Sequence, residues 1–328
     1  MNKLLTIVIP CYNTEQYLAE CLDSVLLSEY NDVLEVLAIN DGSRDGTLTV
    51  AREYEAKYPE ILRVIDKPNG GWGTVINMAI REAQGRYFKI LDSDDWFDKE
   101  AFAELLAKLK ECGTDIFISN FTEHYTDKTI VGKPYHESLC GHILKLDKFI
   151  DENSNFSFFP MTNITIKVDV LRKGNVVLPD RYYGDVCFFV YVHALSDSVY
   201  ITNLNVYQYR KFVEGQSTST EGYKKNYKDY LNMTKSLVVF YHSISLGKHI
   251  KGFLKSFILR HIKFSYRLVM SKEFCGNLGE SKDILLDFNS FLKKNSVELY
   301  RASNWVTNKK VPFILIWRLF NINLYKLR

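Results

Sequence analysis

The sequence predicts an α/β fold, a mostly parallel, doubly wound sheet flanked by helices, followed by a mainly helical C-terminal region. Three observations predict it. Apolar runs of strand character alternate with helix-period segments four times between Leu4 and Glu111, the signature of a parallel open sheet. Three of those runs stop at clusters of polar residues, as strands do at the ligand-binding edge of such a sheet. Beyond Tyr223 the alternation gives way to apolar residues at three- and four-residue intervals.

The elements follow in order. Leu4 to Pro10 is an apolar strand, and a helix from about Thr14 to Leu27 carries Leu18, Cys21, Leu22 and Val25 at helical spacing. Val33 to Ile39 is a second strand ending in Asn40-Asp41-Gly42-Ser43, with a helix from Asp45 to about Tyr58. A strand over Leu62 to Asp66 leads through Asn69-Gly70-Gly71-Trp72-Gly73 to a helix that Gly85 is expected to end. Tyr87 to Leu91 is the fourth strand, and a helix covers Lys99 to Glu111. From Asp115 the pattern loosens into short segments up to about Ser219. In the last part Ile250, Phe253, Leu254, Phe257, Ile258 and Ile262 form one helical stripe. The domain boundary is accordingly expected at 220/221, dividing residues 1–220 from 221–328.

At 328 residues and 46% apolar, the chain can bury a large core. Met1 to Pro10 reads as a first strand rather than a signal peptide, and no apolar run approaches the ~18 residues that span a bilayer. The six cysteines, at 11, 21, 112, 140, 187 and 275, show no CxxC pair, which points to packed thiols in a reduced, cytoplasmic protein. The net charge of +3 conceals an asymmetry: Tyr223 to Arg328 holds 20 Lys/Arg against 6 Asp/Glu, and residues 1–222 hold 22 against 33. A basic tail on an acidic body implies either an anionic membrane surface as partner or basic helices neutralised by the body itself.

The chemistry lies at the strand ends. After Leu91 come three carboxylates within four residues, Asp92, Asp94 and Asp95. Like charges this close repel unless a cation sits among them. A hard divalent ion, Mg2+ or Mn2+, suits oxygen ligands and keeps positions free for phosphate oxygens. The alternative is a solvated acidic turn capping a helix that starts near Trp96. Tyr12 offers a flat ring, Asp41 an acceptor carboxylate and Asp94 a metal clamp, a set that suits a base, a ribose and a diphosphate. No GxGxxG follows the first strand and no GxxxxGK[ST] occurs, which disfavours a dinucleotide Rossmann site and a P-loop.

Together these motifs resemble the family 2 glycosyltransferases, enzymes of the GT-A fold that use nucleotide-diphospho sugars. The matching stretches are Ile7 to Asn13, Asn40 to Asp45, Asn69-Gly70 with Asn77, Leu91 to Asp95, Gly184 to Phe189, Tyr207 to Arg210 and Gly215 to Ser217. The resemblance implies a metal-dependent, inverting hexosyl transfer from a donor, UDP-linked by expectation, to a hydroxyl of a glycan or lipid-linked, cell-envelope saccharide. It implies that Pro10, Tyr12, Asn13, Asp41, Asn69, Asn77 and Ser93 hold the nucleoside and sugar. Asp92 and Asp94 match the DxD motif as ligands of Mn2+ or Mg2+, with Asp94 the direct one, and Asp185 matches the catalytic base. Arg210, Gln216 and Ser217 would close over the diphosphate. Two departures stand out: Gly184-Asp185 replaces the common Glu-Asp, and Val75-Ile76-Asn77 lacks the base-contacting arginine of Ala-Arg-Asn.

Two other classes compete with the transferase. A sugar nucleotidyltransferase wants a basic, glycine-rich loop after the first strand, where this chain has Cys11-Tyr12-Asn13-Thr14-Glu15. A non-catalytic nucleotide-sugar-binding module would keep the donor residues without turnover. His193 reads as a packed histidine rather than a metal ligand, and His242, His249 and His261 as part of a basic face. The basic region and the run Val311 to Phe320, with Trp305, suit a monotopic contact with the inner face of the cell membrane, an acceptor, or a second subunit. Nucleic acid is not an expected partner.

Overall fold

The computed structural model describes residues 3–153, 159–180, 182–211, 220–271, 278–307 and 310–320. Four parallel strands, β1 (Leu5–Cys11), β2 (Leu34–Asp41), β3 (Leu62–Lys67) and β4 (Tyr87–Ile90), lie in the order β3-β2-β1-β4. β2 and β4 are buried along their whole length and β1 at all but one residue. They therefore read as continuous apolar runs and not as alternation. The helices α1 (Glu15–Asp23), α2 (Thr47–Lys57) and α3 (Trp72–Glu82) carry the chain between them. Side-by-side placement of β2, β1 and β4 brings the three polar strand ends to one edge.

Further strands complete a mixed sheet. After β5 (Trp96–Phe97) and α4 (Lys99–Glu111) come β6 (Ile116–His124), β7 (Thr129–Val131), β8 (Ile143–Lys145), α5 (Leu146–Glu152), β9 (Ile164–Lys167), α6 (Val168–Lys173), α7 (Gly184–Leu195) and β10 (Ser198–Arg210). The order continues β4-β9-β6-β10-β5; β9 is antiparallel to both neighbours, and β10 is parallel to β6. The parallel expectation thus holds for the first half, and β5, β7, β8 and β9 enter antiparallel.

Local expectations shift in three places. No helix starts at Trp96: Trp96 and Phe97 pair with Gln208 and Tyr207 as β5. The following helix is capped by Asp98, which accepts from the Ala101 N–H at 2.9 Å. The acidic triplet is therefore not a helix cap. The helix begun near Thr14 ends at Asp23, not Leu27. Gly85 does not cap α3, which ends at Glu82; a Cβ there would stand 2.4 Å from the Thr6 nitrogen and 2.7 Å from the Leu5 carbonyl carbon. Its glycine permits close approach to β1.

The chain divides into two compact units, Met1–Arg181 with Tyr191–Glu214, and Tyr182–Val190 with Gly215–Arg328. The second holds α8 (Thr220–Lys225), α9 (Tyr227–Ser243), α10 (Lys248–Met270), α11 (Leu278–Asn295), α12 (Val297–Ser303) and α13 (Phe313–Phe320). Ile250, Leu254, Ile258 and Ile262 form the buried stripe of α10, and Phe313, Ile314 and Trp317 bury α13. Arg318 gathers the bundle: it donates to Asn289 Oδ1 (2.7 Å), the Tyr300 carbonyl (2.7 Å), Asn304 Oδ1 (2.5 Å) and the Tyr266 hydroxyl (3.0 Å). Much of the apolar run Val311 to Phe320 is thus core, with Val311, Leu319 and Phe320 left outside. His261 also departs from expectation. Its Nδ1 meets the Tyr230 hydroxyl at 2.5 Å, and burial, aided by the nearby Arg260 charge, lowers it to about 4, so it is neutral and not part of a basic face. Among the described residues, no helix is long and apolar enough to cross a membrane.

Candidate active site

At the end of β1 the chain turns through Asn13, whose φ of +53° lies in the left-handed region that Asn tolerates. The Asn13 N–H donates to Ser43 Oγ (3.1 Å), and its Oδ1 accepts from the Arg44 N–H (2.8 Å). Capping is reciprocal across the same two loops. Asp45 accepts from the Glu15 N–H, and Glu15 accepts from the Gly46 N–H. Burial would raise Asp45, but the donors Thr47 and Glu15 outweigh it and hold its carboxyl below the ordinary value. The loops after β1 and β2 are thereby locked into one surface. On it Tyr12 leaves 47% of its area open, Pro10 is partly exposed, and Asn13 is spent on positioning.

Asp41, at the end of β2, is buried, and its carboxylate accepts from the Lys67 ammonium and the Gly70 N–H on Oδ1, and from the Gly71 N–H at 2.8 Å on Oδ2. Gly71 sits at φ +88°, a conformation that L side chains rarely adopt, and this turns its N–H toward the carboxylate. Lys67 also donates to the Pro68 carbonyl (2.8 Å) and to Thr74 Oγ1 (3.0 Å). Asn69 donates to the Asp41 carbonyl at 2.9 Å. Sequence reasoning missed Lys67; its one signal is a cation at the end of a strand, immediately before the glycine-rich turn. Asn77 is engaged by a loop of the same unit. Its amide donates to and accepts from the Leu178 backbone (2.9 and 2.8 Å), so it pins that loop. Ile76 is buried and brings no charge.

The acidic turn after β4 is held from β10. The fully buried Tyr207 donates to Asp95 Oδ2 (2.7 Å) and accepts from the Asp92 N–H (3.1 Å). The Arg210 N–H donates to Asp95 Oδ1 (2.7 Å), and its Nε donates to the Asp94 carbonyl (2.9 Å). The guanidinium lies between the Tyr17 and Trp96 rings and pairs with Glu20 at 2.6 Å. Asp95 is 1% exposed and serves as the inner anchor of the turn. Burial, then the charges of Asp92 and Asp94, push it up to about 8. Ser93 is buried, while Asp92 and Asp94 are half-buried. Burial also raises the Asp94 carboxyl, which the Arg210 charge only partly offsets.

This turn fits a hard cation. Two half-buried carboxylates crowd a third, and the oxygen-only donor set is the kind Mg2+ or Mn2+ selects. Among the described residues no three carboxylate, thiol or imidazole groups converge as a ready-made cage. Asp92 and Asp94 alone would leave most of the coordination sphere to water and phosphate oxygens, as suits a metal that travels with a diphosphate.

Asp185 belongs to the helical unit, at the start of α7. It is exposed to solvent, yet the surrounding protein desolvates its carboxyl and raises it, against the pull of the Val186 N–H. Tyr183, two residues earlier, takes φ +67°, an outlier for an aromatic residue. Its ring stacks on Tyr223 at 5.7 Å and meets Tyr230 edge-on at 5.0 Å, contacts that hold the strained turn. His193 is buried, and its Nε2 accepts from the Phe159 N–H at 3.3 Å. Gln216 and Ser217 lie outside the described residues.

The model of glycosyl transferase family 2 matches residues 6–174. An uncharacterised glycosyltransferase of Mycoplasma pneumoniae is 41% identical over 121 residues, covering 36% of this chain and 39% of its own length. A processive diacylglycerol beta-glycosyltransferase of Mycoplasma genitalium is 24% identical, covering 97% of this chain and 96% of its own. The matched stretches cover 39%, 44% and 31% of the first three curated relatives, less than half of each. Among solved structures, S. aureus TarS 1–349 in complex with UDP-GlcNAc superposes with a TM-score of 0.71 at 20% identity, covering 98% of this chain and 89% of that one. At that identity the likeness is one of fold.

Proposed function

The chain belongs to glycosyl transferase family 2, and we propose that it is a glycosyltransferase that moves a sugar from a UDP-linked donor to a hydroxyl of a lipid-linked or cell-envelope saccharide. The observation that carries this proposal is the common edge of β2, β1 and β4. There an open aromatic ring, a buried acceptor carboxylate and a pair of crowded carboxylates stand on adjacent strands. Tyr12 would lie against the base and Asp41 accept its N3–H, with Pro10 and Asn69 beside them. Asn13 and Ser93 would support the loops that carry these groups, and Asn77 the loop at Leu178. Arg210, with Gln216 and Ser217, would border the diphosphate. The solved relative's UDP-GlcNAc supports the choice of donor class.

Asp94, with Asp92, would hold Mn2+ or Mg2+; when bound, such a cation neutralises charge growing on the leaving diphosphate. Asp185 would take the proton of the acceptor hydroxyl as its oxygen bonds to the anomeric carbon and the bond to the diphosphate breaks, inverting the configuration. A carboxyl raised by desolvation is a stronger base than a free one, which favours that role. Residues 1–220 would form the catalytic domain and residues 221–328 the region that meets membrane, acceptor or a second subunit. The relative named for diacylglycerol, matched over 97% of this chain, supports a lipid acceptor.

The test is UDP release from a panel of UDP-sugars with Mn2+ and a lipid-linked acceptor. Turnover with at least one donor is expected. Asp185→Asn should lose on the order of 10²–10⁴ in rate while keeping donor affinity. Wild-type turnover by that variant would remove Asp185 from the mechanism.

A further inference from the structure

We infer that Lys67 is a positioning residue for nucleobase selection, acting through Asp41; this rests on the donor proposed above. Asp41 is 4% exposed, and Lys67 is its ion-pair partner on β3. All three ammonium protons of Lys67 have acceptors, namely Asp41 Oδ1, the Pro68 carbonyl and Thr74 Oγ1. Lys67 therefore has no donor left for a ligand. Its contribution is to hold the carboxylate.

The carboxylate is held asymmetrically. Oδ1 takes the ammonium and the Gly70 N–H, while among the described residues Oδ2 takes the Gly71 N–H alone. A carboxylate oxygen has two acceptor sites, so Oδ2 keeps one in this arrangement. An ionised carboxylate is an acceptor with no donor of its own. It attracts a base that presents a ring N–H there, as uracil does at N3, and repels cytosine, whose N3 is itself an acceptor. Selection by a buried acceptor is steep because the wrong base leaves it unpaired. Lys67 keeps the carboxylate aimed, with Thr74, which itself donates to the Gly71 carbonyl at 2.8 Å, as the third point of attachment.

Calorimetry of UDP and CDP against wild type, Lys67→Met and Lys67→Arg, each with Mn2+, tests this. UDP and CDP share sugar and diphosphate, so their affinity ratio reports the base alone. Wild type should favour UDP; in Lys67→Met the UDP affinity should fall about tenfold or more, with CDP little changed, and Lys67→Arg should restore most of the ratio. A variant that loses affinity for both nucleotides equally, or keeps the wild-type ratio, overturns the inference while leaving the donor site standing. Absence of UDP binding by wild type would overturn the donor proposal and this inference with it. Should Lys67→Met fail to fold, Lys67→Gln, which keeps a donor for Pro68 and Thr74 without the charge, carries the same test.

Discussion

Lys89 lies in β4, three residues before Asp92, fully buried, with its Nζ on the carbonyls of Thr162 (2.9 Å) and Ile164 (3.3 Å). Burial lowers it from 10.5 to about 7. Between those values the unfolded chain holds a proton that the folded chain lacks, so this group makes stability rise with pH from about 7 to 10.5. Thermal unfolding across that range should show the slope in wild type and not in Lys89→Met. The variant should also lose about 1–3 kcal/mol from two stranded carbonyls. Asp185, the proposed base, is by contrast raised by desolvation, so the acid limb of kcat/KM should lie above the ordinary carboxylate value of 3.8, with rate rising as the carboxylate forms. Asp185→Asn should abolish that limb in a pH–rate profile. At this scale the sequence exposed the residues that end strands, Asp41 and Asp92 to Asp95, because an apolar run stopping at carboxylates is visible in one dimension. It hid Lys67 and the inner role of Tyr207, because their partners lie 26 and 112 residues away.

Elements were legible wherever one period dominated. The four parallel strands and their helices could be read because each is buried on both faces or amphipathic on one. β5 and β9 could not, being two and four residues long and defined only by their neighbours. Gly85 shows the same limit. It looks like a helix stop in sequence, yet its backbone abuts β1, so Gly85→Ala should cost about 1–3 kcal/mol through overpacking, measured by denaturant unfolding. An unchanged midpoint would contradict that close approach. In the helical unit Arg318 joins α13 to α10, α11 and α12. Arg318→Ala should therefore destabilise the unit by about 2 kcal/mol or more, since it strands several part-buried acceptors at once.

Over the whole chain, charge divides along the sequence: residues 1–222 hold 22 Lys/Arg to 33 Asp/Glu, and Tyr223 to Arg328 hold 20 to 6. Within the helical unit some of that charge is already answered, as by Lys255 with Glu298 and Lys235 with Asp287. The same unit exposes apolar side chains, Trp305 at 74%, Leu319 at 65% and Phe320 at 66%. A basic surplus together with exposed apolar side chains suits an anionic lipid surface. Vesicles rich in anionic lipid should therefore retain the protein at low salt and release it at high salt, and Trp305→Ala with Phe320→Ala should weaken retention. Equal retention by neutral vesicles would contradict the electrostatic part. The central claim, a metal-assisted donor site on the β2-β1-β4 edge, is tested most directly by calorimetry of wild type and Asp94→Ala with UDP, with and without Mn2+. Metal-dependent UDP binding in wild type, lost in Asp94→Ala, is the predicted result. UDP binding indifferent to both metal and Asp94, or no binding at all, would contradict it.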